Sequence, residues 1–399
     1  MQVRPGDKLI TIIPGGRAEA DHRAPGATGF GPWPALSPTG GGVALPERGL
    51  SATWADLAAN AGRADGEPVW PADSWEALRR GGVLGWSVPA EYGGRARTRV
   101  ELFEGYEALA GACLTTCFIL SQREAACRRI ADGDNEALKA ELLPSLARGE
   151  QFATVGLSQL TTSRQHLGPT LTARLGEDAL ALDGSIPWVT GAARADHLII
   201  GAVLEDRRQV LAALPGSWPG VAVGPPLELA ALEGSLTAEI RCNNVILERK
   251  WILAGPAEQV LASGRGGAGG LETSCLALGL AGAAVAYLRG EAAARPELRP
   301  PTERLEQAQR RVREELHRLA REGSTAEAAA ALRTRANSLV LRATQTALTA
   351  AKGTGFLRQH PAQRWARQAL FFLVWSCPGP VAKATMASLA CEAEGAWES

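Results

Sequence analysis

The residues best suited to chemistry are an indole and a hydroxyl two positions apart, Trp188 and Thr190, in Pro187-Trp188-Val189-Thr190-Gly191-Ala192. On a strand that spacing sends both side chains to one face. The indole could then cover a flat heteroaromatic ring such as the isoalloxazine of a flavin, while the hydroxyl bonds its polar edge. A Trp in the core of a β-hairpin has the same spacing, so both readings stand. A second group is Glu272, at the start of a long helical pattern. A carboxylate there is favoured by the helix dipole. In an apolar pocket a carboxylate can instead act as a general base toward carbon. Gly264-Arg265-Gly266-Gly267-Ala268-Gly269 has glycines at dinucleotide-loop spacing. No clear strand precedes it and helix follows helix after it, so it reads as a loop entering the next helix.

Three kinds of segment must position these groups. Residues 1–50 are dense in Gly and Pro and read as a poorly ordered extension, with a short hairpin near Leu9 to Ile13. Residues 51–150 are helical in pattern, with Ser51 and Asp73 as N-caps and helical spacing over Val100 to Ala131 and Ala137 to Ala147. Residues 151–255 alternate as short antiparallel strands do: Leu171 to Leu175, Ala179 to Leu182, His197 to Val203, Val210 to Leu214 and Ala238 to Arg241. From 256 to 399 the helical period returns. Leu271 to Ala294, Thr302 to Glu322, Thr325 to Ala351 and Pro380 to Glu394 are long enough for a four-helix bundle. The expected fold is therefore α+β: an N-terminal helical domain, a central antiparallel β-domain and a C-terminal four-helix bundle.

Composition narrows the function. The chain has 399 residues, 46% hydrophobic and 21% charged, with 42 basic and 42 acidic side chains. Zero formal charge argues against a nucleic-acid binder driven by counterion release. It leaves room for oligomers. The longest apolar run, Leu276 to Leu288, is shorter than a bilayer span, and no signal peptide is evident. Seven scattered cysteines without a CxxC read as reduced, buried thiols of a cytoplasmic protein. A zinc site is not expected, because the histidines do not cluster near them. The basic run at Arg310, Arg311 and Arg313 is interleaved with Glu314 and Glu315 and reads as a solvated helix face.

From Ser51 to Ala390 the chain resembles the acyl-CoA dehydrogenase family. Gly85 to Gly94 is similar to its Pro-x-x-Tyr-Gly-Gly loop. Phe152 to Gln159 is similar to its first flavin strand, and Leu182-Asp183-Gly184 leading to Trp188 and Thr190 to its second. Asn243-Asn244-Val245 with Leu253, Ala351 to Phe356, and Pro361 to Arg364 with Arg367-Gln368-Ala369 follow in the family's order. The resemblance implies FAD, with FMN as the alternative. Leu157, Ser158, Trp188 and Thr190 would line the ring, and Gly353 would sit in the bundle turn. Arg295 is the nearest match to the arginine that reaches the pyrophosphate of a neighbouring subunit. A homodimer or homotetramer follows, with an acyl-CoA substrate and an electron acceptor that the motifs do not name.

The departures bear on activity. Where the family reads Thr-Glu-Pro-x-Ala-Gly-Ser-Asp, this chain has Ser158-Gln159-Leu160-Thr161-Thr162-Ser163-Arg164-Gln165. The family's common catalytic Glu is Ser376 here, and its adenine-side Gln is Thr349. Serine cannot take an α-proton at neutral pH without a partner for its own proton. A subset of the family carries the base on the first bundle helix, ahead of two small residues. Glu272, ahead of Gly279 and Gly282, occupies that position. Three expectations remain: a flavin-dependent dehydrogenase of acyl thioesters with Glu272 as base, a flavin-dependent monooxygenase on the same fold, and a catalytically degenerate binding or scaffold subunit.

Overall fold

The computed structural model describes residues 50–161, 169–261 and 270–390. The expected extension and hairpin before Leu50, the Ser163-Arg164-Gln165 stretch, the Gly264 to Gly269 loop and the chain after Ala390 lie outside the described residues.

Five helices come first: α1 (Leu50–Gly66), α2 (Ala72–Arg80), α3 (Arg99–Ala112), α4 (Leu114–Asp132) and α5 (Glu136–Arg148). Ser51 and Asp73 lie inside the first turns of α1 and α2 and are not caps. The cap that forms is Thr98 on α3. Its hydroxyl accepts from Glu101 N at 3.3 Å, and Glu101 Oε2 accepts from Thr98 N at 2.8 Å. This capping box satisfies two otherwise orphaned donors. The expected single stretch from Val100 to Ala131 is two helices, because Cys113 is extended (φ −152°, ψ 102°) and breaks the ladder.

Eight strands follow: β1 (Ala153–Gly156), β2 (Leu171–Leu175), β3 (Ala179–Val189), β4 (His197–Leu204), β5 (Gln209–Pro215), β6 (Val221–Pro226), β7 (Ala238–Glu248) and β8 (Ile252–Ala257). A short helix, α6 (Ser158–Thr161), separates β1 from β2. The sheet order is β6-β7-β3-β2-β4-β5-β8, with β1 also on β4. The sheet is mixed rather than antiparallel: β1 runs parallel to β4 from Ala153↔His197 to Gly156↔Ile200, and β2 parallel to β4 at Thr172↔Val203. Parallel pairing needs a long crossover. Alternation within one strand carries no information about the direction of the next.

The last third holds α7 (Leu271–Ala294), α8 (Arg299–Glu322), α9 (Ala326–Ala351), α10 (Pro361–Val374) and α11 (Gly379–Leu389). The bundle's fourth helix is α10, which the period analysis passed over; the segment after Pro380 is the shorter α11, packed on α9. Helix α7 extends the apolar run Leu276 to Leu288 in both directions. Its best window has a mean hydropathy of 1.5, enough by length and composition to cross a membrane, yet 78% of that window is buried in the bundle. Gly279 lets it approach α3: a Cβ there would lie 2.3 Å from the Glu107 carbonyl oxygen. Two apolar cores result. One joins α1–α4 to the bundle, the other joins the sheet to α4 and α5. Helix α4 gives Phe118 to the first and Ile130 to the second.

Candidate active site

On the sheet side, β1 delivers Leu157 and Ser158 at its end. Leu157 packs against the sheet core, and Ser158 opens α6. Gln159, at the family's acidic position, is buried, and its Nε2 donates to the carbonyls of Gly156 at 3.0 Å and Gly201 at 2.8 Å. It ties the β1 end to β4. Strand β3 delivers Trp188 and ends at Val189, but its pairing with β7 shifts register between Ile186 and Val189. The shift breaks the alternation that the same-face reading assumed. Trp188 is 50% exposed, whereas Thr190 is buried with its hydroxyl 3.4 Å from that of Thr237, which meets Ser235 Oγ at 2.9 Å. The Ala195-Asp196 pair serves the fold, since Asp196 accepts from Phe152 N at 2.7 Å and holds the entry to β1.

On the helical side, Glu272 lies in the first turn of α7. Its Oε1 is 3.8 Å from Arg128 Nη2, and the two side chains are 20% and 19% exposed. Tyr106 of α3 is buried beside them. Burial first, and then the Glu124 carboxylate, push its phenol well above its ordinary range, so it stays a neutral proton carrier. Burial alone would lower Arg128, but the neighbouring Tyr106 phenol and the Glu272 and Glu124 carboxylates outweigh it and hold the guanidinium above its ordinary range. Deeper still, Arg123 pairs with Glu124 and donates to the Leu84 carbonyl at 2.6 Å and to that of Leu146. Sequence reasoning singled out Glu272 but not Arg128 and Tyr106, which lie beside it. The available signal for Arg128 was Ser121, Glu124 and Arg128 recurring at helical spacing along α4.

Ser376, at the position of the usual carboxylate, has φ +43°. The turn is held by Arg333, whose Nη2 donates to the carbonyls of Trp375 at 3.1 Å and Phe372 at 3.3 Å. Asn337 Nδ2 donates to Phe372 O at 3.0 Å. Burial pushes the Arg333 guanidinium down to about 10, against the opposing pull of Cys377. Beside this turn Phe371 and Trp375 stack with centroids 4.8 Å apart, and Phe118 meets both edge-on at 4.9 and 5.0 Å. These three rings pack together, and Trp375 is next to Ser376 in the chain.

Arg295 ends α7, at the far end from Glu272, about 35 Å away along the helix. Its Nη1 donates to the Ala350 carbonyl at 2.7 Å, and it pairs with Glu291 at 3.1 Å and Glu297 at 3.4 Å. Gly353 is exposed in the turn after α9, with open space where a Cβ would stand. The Arg-Gln-Ala motif of α10 also has a structural use. Buried Asp65 accepts from Arg367 Nη2 at 2.6 Å, Gln368 Nε2 at 2.8 Å and Leu232 N at 2.9 Å. These bonds join α1, α10 and the segment before β7.

Residues 52–150 match the family model described as acyl-CoA dehydrogenase, N-terminal domain. The chain is 26% identical over 240 residues to the probable acyl-CoA dehydrogenase YngJ of Bacillus subtilis (strain 168), covering 58% of this chain and 62% of that protein. It is 26% identical over 178 residues to the mitochondrial isovaleryl-CoA dehydrogenase of Pongo abelii, covering 42% and 41%. It thus spans less than two thirds of either relative. Butyryl-CoA dehydrogenase from Megasphaera elsdenii superposes with a TM-score of 0.76 at 20% identity, covering 88% of this chain and 99% of that one, a likeness of fold. Residues 52–150 thus carry an acyl-CoA dehydrogenase N-terminal domain, and the described chain shares the fold of these enzymes.

Proposed function

We propose that this protein is an FAD-dependent oxidoreductase that removes two hydrogens from an acyl thioester, with Glu272 taking the α-proton. The observation that carries this reading is the partly open Glu272 carboxylate on the first turn of α7, while Ser376, at the other possible position, has no carboxylate. The residues fit the cofactor at its ring end. Trp188 offers an exposed indole face, Leu157 and Ser158 follow the end of β1, and buried Thr190 backs the turn. They fit less well at the pyrophosphate end. Arg295 is bonded within its own protomer and lies too far from Glu272 to serve the same flavin. Arg295 and Gly353 would therefore act toward a neighbouring subunit's cofactor, which makes a homodimer or homotetramer part of the proposal. When bound, flavin supplies a hydride acceptor. The chain's part is to cover the ring with Trp188, exclude water with Phe118, Phe371 and Trp375, and hold the α-proton on Glu272. Buried, free thiols at Cys113, Cys117, Cys127, Cys242 and Cys275 suit a reducing cytoplasm.

The absorption spectrum of the purified protein tests this. A flavin spectrum, or one gained on reconstitution with FAD, is expected, and Trp188→Ala should lower occupancy. A second reading, a scaffold subunit without flavin, is favoured by the engagement of Arg295 with Ala350, Glu291 and Glu297. Protein that takes up neither FAD nor FMN would establish it. If flavin binds but no acyl-CoA reduces it, while reduced flavin and oxygen yield a hydroxylated product, the enzyme is a monooxygenase.

A further inference from the structure

The Glu272 carboxylate does not stand alone. Arg128 Nη2 stands 3.8 Å from it, and both side chains are about one-fifth exposed. What lies behind them is sealed. The Tyr106 hydroxyl and Arg128 Nε are buried without a hydrogen-bond partner, and Arg123 is paired with Glu124. This cluster holds two guanidiniums and two carboxylates, so its charge is balanced only while Glu272 is ionised. Once Glu272 accepts a proton, Arg128 is left as an uncompensated, largely buried cation, which is costly. The negative charge has by then moved onto the molecule that gave the proton. The nearest cation to receive it is Arg128.

Building on the proposed role of Glu272, we infer that Arg128 is its charge-balancing partner, donating a hydrogen bond to the substrate carbonyl oxygen as the α-proton leaves. In this step the α C–H bond breaks and an O–H bond forms on Glu272. The electron pair left on carbon delocalises into the thioester C=O, and an Arg128 N–H pairs with that oxygen. The step consumes no oxidant. Its reversal returns a proton from Glu272 to carbon, which in D2O is a deuteron once the carboxyl has exchanged. The ligand class is thus a thioester with a C–H bond α to its carbonyl. Dehydrogenation additionally needs a β-hydrogen, but the exchange does not.

The test is deuterium incorporation at the α-carbon of acetyl-CoA, butyryl-CoA and octanoyl-CoA in D2O, read by mass spectrometry on the FAD-reconstituted protein without an electron acceptor. Acetyl-CoA has no β-carbon, so its exchange reports proton transfer alone. Wild type should incorporate deuterium into at least one thioester, and Glu272→Gln should abolish this. Arg128→Met should slow it by about 10²-fold, the usual effect of removing one donor to a developing oxyanion. Arg128→Lys keeps the charge and should recover part of the rate. Melting temperatures are measured alongside. If Arg128→Met exchanges at the wild-type rate while Glu272→Gln is silent, Arg128 is only a strut and the Glu272 reading survives. If Lys and Met are equally slow and equally destabilised, a structural role explains Arg128 and the inference fails. If wild type exchanges none of the three, or Glu272→Gln exchanges normally, the proposed role of Glu272 fails and takes this inference with it.

Discussion

Single side chains in this molecule either face chemistry or replace it with structure. Glu272 is proposed to be of the first kind. Glu272→Gln keeps the shape and removes the proton acceptor, so reduction of bound flavin by an acyl-CoA should slow by about 10²-fold or more, measured by stopped-flow bleaching. Flavin occupancy should be unchanged. Asp65 is of the second kind. Asp65→Ala would strip three donors of their acceptor, with an expected loss of about 2–3 kcal/mol in urea unfolding. His197 gives a pH dependence. Burial, partly opposed by Asp196 and Glu141, lowers its pKa in the fold. The unfolded imidazole binds a proton near about pH 6.5 and the folded one only below that. Protons therefore favour unfolding, and stability present above that pH is lost as the pH falls below it. His197→Gln should flatten the acid limb of a denaturation-versus-pH curve. Trp188 stands out in the sequence through its type and spacing, and Glu272 through the family resemblance. Arg128, Tyr106 and Arg333 were not legible, because a charged residue inside a helix looks solvated until the helices packed around it are known.

At the level of elements, the pattern analysis found helices with one strong period and missed those with unusual ends. Helix α7 runs over the expected Leu271 to Ala294. Helix α10 begins with Pro361 under a His360 cap, and its mixed polar face hid it. Strands β6 and β8 carry Pro225, Pro226 and Pro256, which read as turns. The shift in β3 that parts Trp188 from Thr190 depends on pairing with β7, far along the chain. The small residues of α7 follow from its contacts rather than from its own period. Gly279→Ala should push α7 from α3 against the Glu107 carbonyl and cost about 1–3 kcal/mol, the range for overpacking a tight core. Gly290, with nothing within 4 Å of its would-be Cβ, should tolerate Ala without that loss. Calorimetry on the two variants compares them directly.

The whole molecule leaves apolar side chains uncovered at its C-terminal end: Phe356 after α9, Leu370 and Val374 on α10, Met386 and Leu389 on α11. Val374, at 76% exposure, is the most open of those on helices. Light scattering at micromolar concentration should give a dimer or a multiple of one. A Val374→Glu, Leu389→Glu double variant should shift that mass toward the monomer and lower flavin retention with it. A wild-type monomer would leave Arg295 without a neighbouring cofactor.

Helix α4 donates side chains to both apolar cores, Cys117 and Phe118 to one and Ala126, Cys127 and Ile130 to the other. The two halves of the protein consequently share a spine, and neither can melt while the other keeps that helix in place. Heating should give one calorimetric transition rather than two. A ligand that grips only the sheet should raise the melting point of the distant bundle by the same amount.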